Sequence, residues 1–300
     1  MATTRFTGVY PPVITPLTAD EELDRSGVKR HIKFVLDGGV DGIFVLGSIG
    51  EGPFLRPSVR AAMVEATVEV VAGRVPVIAG IIEPSTSRVI EEIKNLSGRG
   101  LAGYVAAAPF YYGGYINREL DKHFRKIADA ADLPILLYNI PINTKTPMNA
   151  DLVLGLQNHP NIAGIKDSSG DWPEVQPVLF NKEKDFVFLQ GNQFMCAVSL
   201  MMGAEGLVPG HANVWPKLIV DLMKAGKEKD YPKLFALQNT LDKLVRLRGR
   251  APNHTYKLVT KAMGLTEEYV STPLPVLQGE EAEKFLKASI DLGVPMPTIS

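Results

Sequence analysis

Two residues that can carry out covalent chemistry stand at the ends of short apolar runs. Lys166 follows the run Ile162–Ile165, and Tyr138 follows the run Leu133–Leu137. An amine buried in apolar surroundings loses its proton more readily and can then add to a ketone. A phenol beside it can move protons during the reaction. We interpret Lys166 as a Schiff-base nucleophile and Tyr138 as its proton shuttle.

Both side chains also have a purely structural interpretation. Lys166 can pair with the adjacent Asp167 and stay protonated, as an ordinary lysine with a pKa of about 10.4 does at neutral pH. Tyr138 can be a tyrosine whose ring packs while its hydroxyl reaches water. The apolar residues before Lys166 favour the chemical role, because burial lowers the pKa of an amine.

A glycine-rich segment, Gly47–Gly52, also offers groups that can bind a ligand. Glycines allow a ligand to approach the backbone closely, and successive free N–H groups form a site for an anion. Ser48 adds a hydroxyl group to this segment. The segment matches neither a Walker loop nor a dinucleotide-binding fingerprint. It therefore indicates either an anion site or a plain turn between a strand and a helix.

The elements that must position these groups follow from an alternation of strand and helix patterns. Almost wholly apolar runs alternate with amphipathic segments, which is typical of parallel strands covered on both faces. A glycine, a short link and a strand recur at Gly39–Val45, Gly100–Ala106 and Gly203–Val208. These features predict an α/β protein with a (β/α)8 TIM barrel rather than an open doubly wound sheet, and its consecutive strands place Tyr138 beside Lys166. The eight predicted strands are Gly8–Ile14, Gly42–Leu46, Val75–Ile82, Gly103–Ala107, Ile135–Asn139, Ile162–Lys166, Phe186–Gln190 and Gly206–Pro209.

The pattern changes after the eighth predicted strand. Trp215–Ala225 is predicted to be the last barrel helix, and the segments after it have a helical pattern without strands between them. We therefore predict a barrel over residues 1–226 and a C-terminal helical extension packed on it over residues 227–300.

Composition limits the classes of partner and cofactor. The formal net charge is −1, and no long run of one sign suggests a nucleic-acid or membrane-surface partner. Cys196 is the single cysteine, so neither an internal disulfide nor a thiol-rich metal site can form. The five histidines show no metal-ligand spacing. No apolar run has the length of a leader or a spanning helix, and we expect a soluble, cytoplasmic protein.

Three motifs in order along the chain resemble the dihydrodipicolinate synthase / N-acetylneuraminate lyase superfamily. They are Gly47–Glu51, Tyr138–Pro141 and Gly164–Asp167, and the segments Phe6–Val13 and Ala212–Val214 fit as well. The three motifs together are specific, whereas each alone is not. The resemblance spans nearly the whole chain and implies a class I aldolase barrel that uses no metal and no other cofactor.

The resemblance assigns catalytic roles to residues of this chain. Lys166 would form an imine with the ketone of pyruvate or a 2-oxo acid, Tyr138 would shuttle protons, and the hydroxyl of Ser48 would join the relay. A second tyrosine, from a neighbouring subunit, enters the relay in this family. Tyr111 is our choice, and Tyr112 is the alternative because the loop is one residue longer here. The resemblance also implies a homotetramer built as a dimer of dimers.

Substrate-binding roles follow from the same motifs. Gly47, Ser48 and Ile49 form the segment whose backbone N–H groups would hold the substrate carboxylate, and the carbonyl of Val208 would lie near the lysine. Two residues depart from the family pattern. Ile49 stands where a threonine or serine is usual, and Asn143 stands where dihydrodipicolinate synthases place an arginine. Asn143 would then hydrogen-bond to a sugar hydroxyl.

The pattern as a whole is nearest to aldolases of 2-keto-3-deoxy sugar acids. We therefore expect reversible retro-aldol cleavage of such an acid to pyruvate and an aldehyde, both small molecules. The alternatives are a 4-hydroxy-tetrahydrodipicolinate synthase, which condenses pyruvate with aspartate semialdehyde, and a related 2-oxo-acid hydratase-aldolase. A non-catalytic binding barrel is disfavoured because a binding module needs no buried amine. A phosphate-binding barrel isomerase is disfavoured because no glycine cluster follows the last two strands.

Overall fold

Eight parallel strands form one sheet in the computed structural model, which describes residues 6–296. The order around the sheet is β1-β8-β7-β6-β5-β4-β3-β2. A bridge between Pro12 and Phe44 brings the chain after β1 against β2 and so closes the ring. The predicted (β/α)8 TIM barrel is confirmed. The strands, β1 to β8 in chain order, are Gly8–Val9, Ile43–Val45, Val77–Gly80, Gly103–Ala107, Ile135–Asn139, Ile162–Asp167, Val187–Gln190 and Gly206–Leu207.

Helices follow the strands and surround the barrel. Three turns of 3-10 helix, Gly52–Phe54, Gln193–Met195 and Gly210–Asn213, lie directly after β2, β7 and β8. The α-helices, α1 to α12 in chain order, are Arg25–Asp37, Pro57–Val71, Thr86–Leu96, Asn117–Ala130, Pro141–Thr144, Ala150–Leu156, Trp172–Asn181, Cys196–Met201, Pro216–Glu228, Tyr231–Leu247, Pro252–Ala262 and Gly279–Asp291.

The first strand is shorter than the predicted Gly8–Ile14 because two prolines interrupt it. Pro11 and Pro12 have no N–H group and cannot donate to a neighbouring strand. The chain nevertheless stays alongside β2, because the N–H of Val13 donates to the carbonyl of Phe44 at 2.9 Å.

Alternate strand residues divide the apolar side chains into two layers. Leu136 and Tyr138 belong to the cluster that fills the barrel, together with Phe44. Ile135 and Leu137 belong to the larger cluster between the strands and the helices. This alternation follows from the pleat of a strand, which directs successive side chains to opposite faces. Tyr138 therefore stands at the upper end of the inner layer.

The last three helices pack on the barrel and on one another. Helix α10 lies against α9 and α12, and α11 lies against the turn Gly210–Asn213. Within residues 6–296, no helix is both long enough and apolar enough to cross a membrane. The predicted division of the chain at residue 226 stays a prediction.

Candidate active site

The register between β5 and β6 brings the two predicted catalytic side chains together. Tyr138 pairs directly with Lys166, and Asn139 pairs with Asp167. Because neighbours along a strand face opposite ways, Asp167 points away from the amine of Lys166. The Asp167 carboxylate instead accepts a hydrogen bond from Asn139 Nδ2 at 2.7 Å. The structural interpretation of Lys166, as the partner of Asp167, is therefore wrong.

The amine of Lys166 lies among aromatic rings. Its Nζ is 3.9 Å from the centre of the Tyr138 ring and 4.7 Å from that of Phe44, and the residue is 4% exposed. Within residues 6–296, no carboxylate oxygen lies within 4.0 Å of this nitrogen. Burial lowers the pKa of Lys166, and the interaction with Tyr138 opposes this shift. The site thus favours the neutral, nucleophilic form of the amine.

The hydroxyl groups near the lysine form a loose chain. Tyr138 Oη and Ser48 Oγ are 3.4 Å apart, and Asn143 Nδ2 donates to Ser48 Oγ at 3.5 Å. These separations are at the long end of the hydrogen-bond range. Catalytic hydrogen bonds are often long without substrate and tighten when it binds.

The backbone of the glycine-rich segment has free donors at the cavity. The N–H groups of Ser48 and Ile49 have no acceptor among residues 6–296, and both residues line the cavity described below. The segment is tightly packed from behind, since a Cβ atom on Gly50 would lie 2.7 Å from the carbonyl oxygen of Val13. Adjacent free N–H groups of this kind form an anion site.

A buried ion pair holds the far end of this segment. Lys257 Nζ lies 2.6 Å from Glu51 Oε1, and both side chains are fully buried. Glu51 has a φ of 61°, a left-handed conformation that costs free energy in a non-glycine residue. Burial lowers the pKa of Lys257, and Glu51 opposes this shift. The N–H of Ser271 donates to the Glu51 carboxylate at 2.7 Å, and Lys257 Nζ donates to the carbonyl of Tyr269 at 2.5 Å.

Helix α11 also fixes the orientation of the peptide that carries a free donor. Asn253 Nδ2 donates to the carbonyl oxygen of Ser48 at 2.9 Å and to that of Ile49 at 3.4 Å. The Ser48 carbonyl and the Ile49 N–H belong to one planar peptide unit and point in opposite directions. Holding the carbonyl therefore fixes the direction of this N–H.

Sequence reasoning missed the residues of α11 that support the site. Asn253 is separated from Ser48 by 205 positions, and no motif marks either Asn253 or Lys257. Glu51 was the one signal in the sequence that could have pointed to them. If the glycine-rich segment is buried, the carboxylate of Glu51 needs a cation as its partner.

A cavity of about 910 Å³ opens at the carboxyl ends of the strands. Most predicted site residues line it: Lys166, Tyr138, Ser48, Ile49, Asn143 and Val208. Gly47 does not line it and packs on the Phe44 ring, where a Cβ atom would lie 2.7 Å away. Tyr111 does not line it either, and Phe110 does. The side chain of Tyr111 is 84% exposed, and its ring contacts that of Tyr112 at 5.2 Å.

The cavity wall has an unusual balance of charge. Among residues 6–296, no aspartate or glutamate lines it, and the cationic side chains that do are Lys166 and Arg248. Lys145 is not part of the wall, and its Nζ donates to the carbonyl of Ile142 at 2.7 Å. Residues 6–296 contain no group of three or more His, Cys, Asp or Glu side chains placed to hold a metal ion.

Comparisons with known proteins show which proteins this chain is similar to. The pattern of the Dihydrodipicolinate synthetase family matches residues 5–290. A 4-hydroxy-tetrahydrodipicolinate synthase of Methanosarcina mazei is 32% identical over 291 residues, which cover 96% of this chain and 99% of that protein. An uncharacterised DapA-like lyase of Halobacterium salinarum is 37% identical over 250 residues, 82% of this chain and 80% of that protein.

A solved structure shows the same fold with a ligand. YagE, an Escherichia coli K12 prophage protein of the dihydrodipicolinic acid synthase family, was solved in complex with pyruvate. It is 28% identical to this chain, and the match has a TM-score of 0.91 and covers 97% of this chain and 99% of that one. This chain therefore belongs to the dihydrodipicolinate synthetase family and is a carbon–carbon lyase.

Proposed function

We propose that this chain is a class I aldolase that reversibly cleaves a 2-keto-3-deoxy sugar acid to pyruvate and an aldehyde. The observation that carries the proposal is the amine of Lys166, which is buried beside Tyr138 and faces no carboxylate within the described part of the chain. A buried amine that is only structural normally has a counter-ion. An amine that must attack a ketone needs to be neutral instead.

Imine formation is the first step. The amine of Lys166 attacks the ketone carbon, the ketone oxygen leaves as water, and a carbon–nitrogen double bond forms. The substrate carboxylate next to that carbon accepts hydrogen bonds from the N–H groups of Ser48 and Ile49. These fixed donors hold the substrate without reorganising during the reaction.

Bond cleavage follows from the electron demand of the protonated imine. Tyr138, which becomes a phenolate when it gives its proton to the departing ketone oxygen, takes the proton of the C4 hydroxyl. The C3–C4 bond breaks, and its electron pair enters the imine to give an enamine and a free aldehyde. The phenol then returns a proton to C3, with the Ser48 hydroxyl, 3.4 Å away, as the next member of the relay. Water hydrolyses the imine and releases pyruvate.

Three further residues have supporting roles in this proposal. Gly47 allows the segment to pack against the inner layer of the barrel, and Val208, whose carbonyl would lie near the lysine, lines the cavity. Tyr111 would complete the relay of a neighbouring subunit in a homotetramer, which its exposure on this chain permits. Tyr111→Phe should lower kcat more than Tyr112→Phe does; the reverse result would assign the role to Tyr112.

The proposed substrate class rests on the wall near Asn143. Asn143 and Thr144 line the cavity and offer an amide and a hydroxyl, which suit sugar hydroxyl groups. Lys145 lies nearby in sequence, but it is not part of the wall, and its amine donates to the backbone carbonyl of Ile142. It therefore does not replace the arginine that dihydrodipicolinate synthases place at the position of Asn143.

A second candidate is supported by the relatives themselves. Several, including the full-length match from Methanosarcina mazei, are named 4-hydroxy-tetrahydrodipicolinate synthases. In that case the chain would condense pyruvate with aspartate semialdehyde. A 2-oxo-acid hydratase-aldolase uses the same lysine chemistry and is the third possibility.

The test is to measure kcat/KM for both reactions on one preparation. We expect cleavage of a polyhydroxylated 2-keto-3-deoxy acid to exceed condensation with aspartate semialdehyde by at least tenfold, about 1.4 kcal/mol of transition-state preference. A tenfold preference for aspartate semialdehyde would establish the synthase instead. A hydratase-aldolase would be revealed by turnover of an unsaturated 2-oxo acid in the same panel.

A further inference from the structure

One charged side chain on the cavity wall has no role in the reaction proposed above. Arg248 follows the last residue of α10, is half-buried and lines the cavity. Of the described residues that form this wall, Lys166 and Arg248 are the cations, and none is acidic. An anion that enters this cavity would therefore meet no repulsive carboxylate and one permanent positive charge.

The guanidinium of Arg248 is held in place by neutral groups. Its Nη1 donates to the hydroxyl of Tyr256 at 3.2 Å, and its Nε donates to the carbonyl of Val245 at 3.5 Å. The central carbon of the guanidinium lies 5.9 Å from the centre of the Tyr256 ring. Of the five N–H groups that an arginine carries, these contacts use two and leave three for a ligand.

No counter-ion neutralises this arginine within the described chain. Among residues 6–296, no carboxylate oxygen approaches the Arg248 guanidinium within 4.0 Å. Two residues away, Arg250 does have such a partner, with its Nη2 3.5 Å from Glu281. The charge of Arg248 also reaches the interior: burial, and then this charge, lower the pKa of His211 to about 3.

The segment after β7 connects Lys166 to Arg248. A Cβ atom on Gly191 would lie 3.0 Å from Cε of Lys166, so this residue touches the lysine stem. Two positions later, Gln193 Nε2 donates to the same Tyr256 hydroxyl that holds Arg248, at 3.5 Å. Gly191 and Gln193 both line the cavity. Arg248 thus stands on the β7 side of the mouth, whereas Asn143 follows β5.

We propose that Arg248 binds a terminal anionic group, a carboxylate or a phosphate ester, on the aldehyde half of the substrate. The inference rests on the proposed aldolase function, in which the carboxylate of the pyruvate half occupies the N–H groups of Ser48 and Ile49. The planar guanidinium can offer two parallel donors to a carboxylate or a phosphate, which makes it selective for such groups. In this proposal the positive charge missing at Asn143 is supplied from the end of α10.

The test uses three six-carbon 2-keto-3-deoxy acids that differ only at the last carbon. The last carbon is a hydroxymethyl group in the first, a carboxylate in the second, and a hydroxymethyl group esterified with phosphate in the third. We expect kcat/KM for at least one of the two anionic substrates to exceed that of the hydroxymethyl substrate about tenfold to a hundredfold, as for a hydrogen bond to a charged group. The anionic substrate that wins identifies the source of the anion.

Two variants show whether Arg248 causes this preference. Arg248→Met should abolish the preference, because kcat/KM for the favoured anionic substrate should fall to about that of the hydroxymethyl substrate in the same variant. Arg250→Met removes the same charge from the same loop but lies outside the wall, so it should keep the preference. Arg248→Lys retains the charge without the planar fork and should give an intermediate value.

Failure of the inference can be distinguished from failure of the proposed function. Equal cleavage of the three substrates by the wild type, or an unchanged preference in Arg248→Met, overturns the anion site and leaves the aldolase intact. Absence of a pyruvate adduct on the wild-type enzyme after borohydride treatment overturns the proposed function, and the anion site with it. Equal unfolding midpoints for the variants and the wild type ensure that the comparison is made on folded protein.

Discussion

Two lysines are buried among residues 6–296, and their surroundings differ in one respect. Lys257 faces the carboxylate of Glu51 at 2.6 Å, whereas Lys166 faces aromatic rings and no carboxylate of the described residues. Burial lowers the pKa of both amines; the Glu51 carboxylate opposes this shift in Lys257, whereas Tyr138 opposes it in Lys166. Burial alone therefore does not make a nucleophile. The absence of a counter-ion separates an amine available for chemistry from one that holds the structure.

The comparison predicts opposite outcomes when each lysine is changed to methionine. Lys166→Met should abolish turnover, by on the order of 10⁴-fold or more, since a covalent nucleophile is lost. It should not lower the free energy of unfolding, because an unpaired buried amine is replaced by an apolar side chain of similar length. Activity assays and urea unfolding of the same samples would measure both.

Imine trapping provides the control for this prediction. Borohydride reduction with pyruvate should add one adduct to the wild type, located on Lys166 by peptide mass mapping. Folded Lys257→Met should give the same adduct, and Lys166→Met should give none. An adduct on any other lysine would contradict the assignment of the nucleophile.

Tyr138→Phe tests the second half of the proposed pair. It should lower kcat about 10²- to 10⁴-fold, the usual contribution of a positioned acid–base group. The ring and its packing on Phe44 are retained, with 6.5 Å between the ring centres, so the unfolding midpoint should stay close to that of the wild type. Normal turnover by this variant would make Tyr138 a structural residue.

Lys257→Met should lower the free energy of unfolding by about 3–5 kcal/mol, because Glu51 is left buried without its partner. The double variant Glu51→Gln with Lys257→Met should recover most of that loss. Urea unfolding of the two single variants and the double variant completes the cycle. If Lys257→Met is as stable as Lys166→Met, then the difference between the two lysines has no energetic basis.

The pH dependence of imine trapping is the prediction with the smallest expected effect, and it tests the pKa of Lys166 directly. The neutral amine is the reactive form, and burial lowers the pKa of Lys166 from its ordinary value of 10.5. The trapping rate should therefore rise with pH and reach its plateau below the pH at which an ordinary lysine would. A midpoint at or above pH 10.5 would show that the pKa of Lys166 is not lowered in the folded protein.

The sequence was sufficient for the barrel and for the pair at its centre, because both depend on local pattern. The alternation of apolar runs and amphipathic helices predicted eight parallel strands, and consecutive strands in a barrel must place Tyr138 beside Lys166. The most overextended prediction, Gly8–Ile14 for β1, contains Pro11 and Pro12, whose missing N–H groups end the pairing. The prediction Val75–Ile82 was also longer than the observed β3, Val77–Gly80.

The support of the site could not be predicted, because it depends on contacts between distant parts of the chain. Asn253 and Lys257 lie in a helix whose local pattern indicates only that it is amphipathic. Their partners, Ser48 and Glu51, lie about two hundred positions earlier. Arg248 was missed for the same reason, since no strand end marks it as a cavity residue.

The hydrogen bond from Asn253 to Ser48 also sets the order in which the site can be assembled during synthesis. A ribosome adds about 5–20 residues per second, so the 205 positions between the two residues correspond to roughly 10–40 seconds. All eight strands have been synthesised once the ribosome reaches Leu207, but the segment after β2 still lacks its hydrogen bond from Asn253. A nascent chain released before α11 would contain all eight strands of the barrel. It would still lack the hydrogen bond that orients the proposed site for the substrate carboxylate.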